Sequence, residues 1–281
     1  MRSIKQLHTA VNTPMDDLVT YTTLPLGRNF ERFDPFLVLN HHGLQIFNPG
    51  NRGLPFGPHP HRGMETLTFI YQGDLTHRDS TGSDSVIKAG GVQWMTAGRG
   101  IIHEEVSSRE FKEKGGPLDL VQVWFNLPSS LKMSTPGYTG LQREQIPDVV
   151  LDDGKVVLHP VAGDWNGHRG PVHSVSNISI AGVDVKRGGK YKANTPATET
   201  VLLYVVTGIV KVNGRDAGIH TLIEFGNDGE GIEIEGVEDA VLIFGHGKPT
   251  NEPIMAYGPF VMNTEQEIEQ AYADYRSGLF K

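Results

Sequence analysis

The sequence has no cysteine. That excludes thiol nucleophiles, iron–sulfur clusters, thiolate-bound zinc and disulfides. A chain of 281 residues needs no such staples, because at this length roughly 70–75% of the unfolded surface is buried on folding. Basic charge is in short supply: 25 Lys and Arg stand against 33 Asp and Glu, for a net charge of −8. No basic run occurs, which argues against direct nucleic-acid binding, since phosphate is neutralised by clustered cations. Long apolar runs are missing too. No segment reaches about 18 uninterrupted apolar residues, so no membrane helix is predicted. The first 17 residues hold no apolar stretch of signal-peptide length. These absences predict a cytoplasmic protein. No Gly-x-Ser-x-Gly elbow is present either, which removes the usual context of a serine hydrolase.

What the chain has in excess is glycine, 34 residues, a sign of many turns. Short runs rich in Val, Ile, Thr and aromatics lie between them, at 66–72, 91–95, 118–127, 156–161, 178–185, 201–206, 209–212, 232–235 and 240–244. Their length and spacing predict the strands of a sandwich or barrel. One helix is predicted at the C-terminus. There Thr264-Glu265-Gln266-Glu267 offers a capping box, and Ile268, Ala271, Tyr272 and Tyr275 mark one face for docking on a sheet. The segment from Glu65 to Gly73 resembles that from Glu199 to Gly208, each beginning Glu-Thr, continuing as an apolar run and ending on Gly. A repeat of this length predicts two similar β domains. The Ser-, Thr-, Pro-, Gly- and Gln-rich stretch 129–147 reads as the linker, and the division is drawn as 1–132 and 133–281.

Metal-capable side chains concentrate in two places, around His59-Pro60-His61 and around His103-Glu104-Glu105. On an extended strand residues i and i+2 share a face. His59 and His61 therefore project together, as do His103 and Glu105, while Glu104 faces away. Two such strands facing each other inside a barrel would bring three imidazoles and a carboxylate to one point. That set suits a divalent transition metal with open positions for water or substrate. One His-x-His pair carries little weight among 12 histidines; two i, i+2 pairs beside Gly-rich turns carry much more.

The same residues carry a resemblance. The spacing of Gly53, His59-Pro60-His61 and Glu65 is similar to the first signature of the cupin superfamily, with Gly73 one place late. Gly100 and His103 match the core of the second signature, with Gly98 in place of its usual Pro. His59-Pro60-His61-Arg62-Gly63-Met64-Glu65-Thr66, the block from Gln93-Trp94-Met95 through Gly100 to Glu105, and Gly258-Pro259-Phe260-Val261-Met262-Asn263-Thr264 together resemble the pirin family over nearly the whole chain. The resemblance implies an all-β fold of two tandem cupin (jelly-roll) barrels with a C-terminal helix. It implies one Fe(2+) per chain in the first barrel, held by His59, His61, His103 and Glu105, with Ni, Mn, Co, Cu or Zn as substitutes. It implies a monomer and, by similarity to bacterial pirins, a quercetin 2,3-dioxygenase acting on a flavonol-like substrate and O₂, with Glu105 as ligand and general base in turn. The alternative is an iron-dependent redox-sensing regulator that binds a transcription factor or a metabolic enzyme.

Other residues receive narrower expectations. Aligning Glu199 with Glu65 puts Ala193 and Thr195 where His59 and His61 stand, and no His-x-Glu pair occurs near 237–239, so the second barrel is expected to hold no metal. Glu65 is expected beside the ligands rather than among them, with Arg62 and His77 as orienting or mouth-lining groups. Phe56, Trp94, Met95 and Trp124 are candidates for the apolar wall of a pocket. His41 and His42 alternate faces and cannot both reach one metal. His159, His168, His173, His220 and His246 lack any partner pattern.

Overall fold

Burial alternates along Lys190–Asn194, as a strand with one face on a core and the other in water requires. Met64–Gln72 and Thr200–Thr207, in the interior of their sheets, are buried on both faces over most of their length. The computed structural model describes residues 1–280, and strands dominate it. Two compact units emerge, one of residues 12–145 with 250–281, the other of residues 1–11 with 146–249.

The two units repeat one antiparallel topology. In the unit carrying the histidine motifs, one sheet runs in the order Gly137–Leu141, Val92–Thr96, Met64–Gln72, Gly116–Asn126, Phe36–Phe47, Thr20–Leu24. The other unit has the order Ile4–Thr9, Thr221–Phe225, Thr200–Thr207, Ala240–Gly247, Ser179–Val185, Val156–Ala162, Val149–Leu151. Each is faced by a four-stranded sheet: Phe56–His61, Ile101–Val106, Asp74–Asp79, Asp84–Lys88 in the first case, and Lys190–Asn194, Gly231–Gly236, Ile209–Val212, Arg215–Gly218 in the second. Apolar side chains of both sheets meet inside each unit, Leu75 and Ile87 with Ile70 and Leu120 in one, Val210 and Ile234 with Leu203 and Phe244 in the other. The fold is two cupin barrels with a C-terminal helix, as expected.

The division at 132/133 requires correction. Within 129–147, read as linker, Gly137–Leu141 pairs residue for residue with Val92–Thr96 and closes the edge of the first barrel's sheet. The matching edge of the second barrel is filled from the start of the chain, where Ile4–Thr9 pairs with Thr221–Phe225. Pairing satisfies the backbone groups of an open edge, and it assigns each strand to the sheet it closes rather than to its neighbours in sequence. The last 32 residues likewise belong with the first barrel (250–281). There Glu265–Arg276 forms the predicted helix, with the Thr264–Glu267 capping box complete and Ile268 and Ala271 buried. The short helix Arg109–Lys114, capped by Ser108, escaped the periodicity reading because one and a half turns show too little of it. Among the described residues no helix is long and apolar enough to cross a membrane.

Candidate metal centre

Phe56–His61 and Ile101–Val106 are antiparallel neighbours, with His103 opposite His59 and Ile101 opposite His61. That register brings three imidazoles together, with ring centroids 4.4 to 4.9 Å apart. One nitrogen of each lies within 4.8 Å of the others, and Nε2 of His59 is 3.0 Å from Nε2 of His103. Two backbone carbonyls set the tautomers. Nδ1–H of His59 donates to Gly57 O at 2.7 Å and Nδ1–H of His61 to Pro259 O at 3.0 Å, which leaves the Nε2 lone pairs free. Burial, reinforced by the neighbouring His59 and opposed by the Pro259 carbonyl, lowers the His61 pKa to about 3. Burial first, then His61, His59 and His77, hold His103 well below its ordinary value. Neutral rings with converging lone pairs repel one another unless a cation lies between them, so His59, His61 and His103 fit a transition metal.

Glu105 does not join that group. It shares the strand face of His103, but its carboxylate is held by side chains of the larger sheet. Gln122 Nε2 donates to Oε2 at 2.8 Å, and Gln93 Nε2 and Thr68 Oγ1 donate to Oε1, the latter at 3.5 Å. Thr68, Gln93 and Gln122 form one cross-strand row. Trp124 Nε1 donates to Gln122 Oε1 at 2.9 Å, fixing which end of that amide faces Glu105. The Trp124 ring also stands edge-on to His61 at 5.1 Å. Gln93 and Gln122 were not among the sequence candidates. Their only signal is a polar residue in the middle of an otherwise apolar strand, which must find a partner when buried.

Strand parity relocates other candidates. Glu65 lies an odd number of residues from Thr68 and so faces the far side of the sheet, where Oε1 accepts from Trp94 Nε1 at 2.9 Å and Thr96 Oγ1 at 2.8 Å. Trp94 stacks there on Phe125 at 4.9 Å and lines no metal-side wall. Met95 packs with Leu37, Met64 and Val261, and Phe56 lies 5.3 Å from the His42 ring. Glu104 points outward and pairs with Arg78 at 2.6 Å. His41 and His42 occupy opposite faces, His41 bonded to Asp119 at 2.7 Å and His42 to Thr20 at 2.9 Å. In the second barrel, register puts Ile232 opposite Ala193, so Ile232 and Ile234, not the 237–239 region, stand where the first barrel has His103 and Glu105. All three, Ala193, Ile232 and Ile234, lie in its apolar core.

The C-terminal segment completes the site from a distance in sequence. Phe260 bridges to Arg62 in parallel, and Val261 N donates to Arg62 O at 3.1 Å. The Arg62 guanidinium bonds Asp274 at 2.7 Å and lies over the Phe280 ring at 4.6 Å. Lys132 is buried and donates to Gly63 O at 3.0 Å, Val261 O at 3.0 Å and Asn126 Oδ1 at 2.8 Å. Burial lowers its pKa to about 8, against the acidic Glu252, Asp34 and Glu267.

Three converging histidines inside a barrel, with a distant segment locked against it, form the kind of site in which a cupin could hold a metal. The pirin family profile matches residues 18–125, and that of the pirin C-terminal cupin domain matches 180–281. The chain belongs to the pirin family. It is 39% identical over 267 residues, 95% of its length and 92% of the relative's, to a Pseudomonas aeruginosa protein named "Putative quercetin 2,3-dioxygenase". It is 36% identical over 259 residues to a tomato (Solanum lycopersicum) pirin-like protein, covering 90% of this chain and 84% of that one. A crystal structure of quercetin 2,3-dioxygenase from Acinetobacter baumannii superposes with a TM-score of 0.94 at 36% identity, over 100% of this chain and 98% of that one. The Escherichia coli pirin YhhW, solved in complex with nickel(II), shares the fold with a TM-score of 0.68 at 23% identity, over 87% of this chain and 99% of that one.

Proposed function

We propose that this pirin is a metal-dependent oxidoreductase of the quercetin 2,3-dioxygenase type, opening the central ring of a flavonol with O₂ and releasing carbon monoxide. The observation that carries the reading is the group of His59, His61 and His103, two of them buried, with the Glu105 carboxylate anchored on the same strand face. The names of the Pseudomonas and Acinetobacter relatives support it. Iron(II) held by the three histidines would supply Lewis acidity toward the flavonol oxygens, with the Glu105 carboxylate on the same strand face. Glu105 accepts the 3-hydroxyl proton on a carboxylate oxygen, and the amides of Gln93 and Gln122 keep that carboxylate in place. Trp124, edge-on to His61, offers an aromatic wall to the planar substrate.

Two measurements test the reading on purified protein. Elemental analysis is expected to find about one equivalent of transition metal per chain. Aerobic incubation of iron-reconstituted protein with quercetin is expected to consume the flavonol absorbance and release carbon monoxide. Turnover that persists in both His61→Ala and Glu105→Gln removes the assignment.

A further inference from the structure

Two of the three histidines have their second nitrogen satisfied, His59 by Gly57 O and His61 by Pro259 O. The third does not. His103 turns Nε2 toward His59, and its Nδ1 is buried without a hydrogen-bond partner. A buried imidazole nitrogen left bare is costly, and a histidine without a partner on its second nitrogen lacks the bond that fixes its tautomer and aim.

The adjacent strand carries the complementary defect. His77 is wholly buried, its Nε2 lies 2.8 Å from Asp79 Oδ2, and its Nδ1 also has no partner. Because a carboxylate accepts, Asp79 makes His77 the Nε2–H tautomer, and Nδ1 is then an acceptor lacking a donor. His103 with Nε2 facing a metal must carry its proton on Nδ1, a donor lacking an acceptor. Strand pairing sets His103 opposite Asp79 and Glu105 opposite His77, so the two rings are diagonal neighbours, with centroids 5.3 Å apart. Tyr138 stacks on His77 at 3.8 Å and 7°, which holds its plane. Asp79 is pinned in turn by Thr81 and Ser83.

We infer that His77 is the positioning residue of the metal centre: with an ion on Nε2 of His103, the unpartnered Nδ1–H of His103 turns to the unpartnered Nδ1 of the neighbouring His77, closing a buried chain from Asp79 through His77 and His103 to the ion. This rests on the metal-site reading above. The chain fixes the tautomer and aim of His103 and raises its basicity toward the metal.

Nickel(II) affinity of the intact protein, measured by chelator competition, tests it. His77→Phe keeps the stack on Tyr138 and removes the acceptor, and it is expected to weaken nickel binding about 10–100-fold. His77→Gln, which restores an acceptor oxygen, is expected to recover most of that loss. Wild-type protein that takes one equivalent of nickel, with His77→Phe binding it equally well, overturns the positioning role alone. Wild-type protein that takes up no nickel overturns the metal-site reading and this inference with it. Should His77→Phe fail to fold, imidazole ¹⁵N spectra of the wild-type protein loaded with diamagnetic zinc(II) decide the question. The His77 Nε2–H tautomer is expected, and an Nδ1–H His77 overturns the chain.

Discussion

Gln122 presents Nε2 to the Glu105 carboxylate at 2.8 Å while its own Oε1 accepts from the Trp124 indole two residues along the same strand. The indole can only donate, so the amide cannot flip, and the carboxylate always meets a donor. Two consequences follow for turnover. Glu105→Gln is expected to lower flavonol turnover about 10²–10⁴-fold, the usual worth of a positioned base. Gln122→Leu, which leaves the proposed base Glu105 but removes one anchor of its carboxylate, is expected to cost about tenfold with the fold intact. Steady-state assays on both variants check the order, and a Gln122→Leu loss equal to that of Glu105→Gln would contradict it.

Lys132 replaces its hydration shell with three oxygens, from Gly63, Val261 and Asn126. Lys132→Ala strips all three of their donor at once. Removing one side of such a buried polar network is expected to cost about 3–5 kcal/mol. Urea denaturation measures this directly, and limited proteolysis is expected to cut within 250–281 first. A loss under about 1 kcal/mol would mean that water takes over the ammonium's role.

Gly63 has φ +82°, and a Cβ there would lie 2.0 Å from Val261 O. Gly63→Ala must push the C-terminal strand Phe260–Met262 away from Arg62, and with it the Pro259 carbonyl that orients His61. The expected outcome is a protein destabilised by about 2–4 kcal/mol whose nickel affinity falls about tenfold. Gly57, where a Cβ meets nothing within 4 Å, is the control, and Gly57→Ala is expected to behave as wild type in both measurements.

Burial, and secondarily His41, lowers the His42 pKa from 6.5 to about 4. The unfolded chain takes up this proton below about pH 6.5 and the native protein only below about 4, so the unfolded state binds more protons in that interval. Stability contributed by neutral His42 is therefore complete above that window and falls as the pH drops through it, by a total on the order of 3 kcal/mol. His42→Gln, which keeps a hydrogen-bonding partner for Thr20 and cannot titrate, is expected to flatten the decline seen in denaturation midpoints across the same range. An unchanged slope would locate the acid sensitivity elsewhere.

Much of this protein was legible in its residues. Period-two alternation gives the strands, and the capping box at Thr264 gives the final helix. The parity of His59 with His61 and of His103 with Glu105 follows from backbone geometry alone, and so does the outward turn of Glu104. Parity applied over a longer stretch would also have moved Glu65 to the far side of the sheet, since Glu65 and Thr68 lie three residues apart on one strand.

What local chemistry dictates, then, is which side chains share a face and where a strand or helix begins. Which strands become neighbours is a different kind of fact, because main-chain hydrogen bonds and apolar burial are indifferent to distance along the chain. Only the folded protein could assign Gly137–Leu141 to the first barrel and Ile4–Thr9 to the second, set Gln93 and Gln122 against Glu105, and bring Pro259 from 198 residues away to orient His61. Those pairings satisfy buried polar groups that have no partner nearby in sequence.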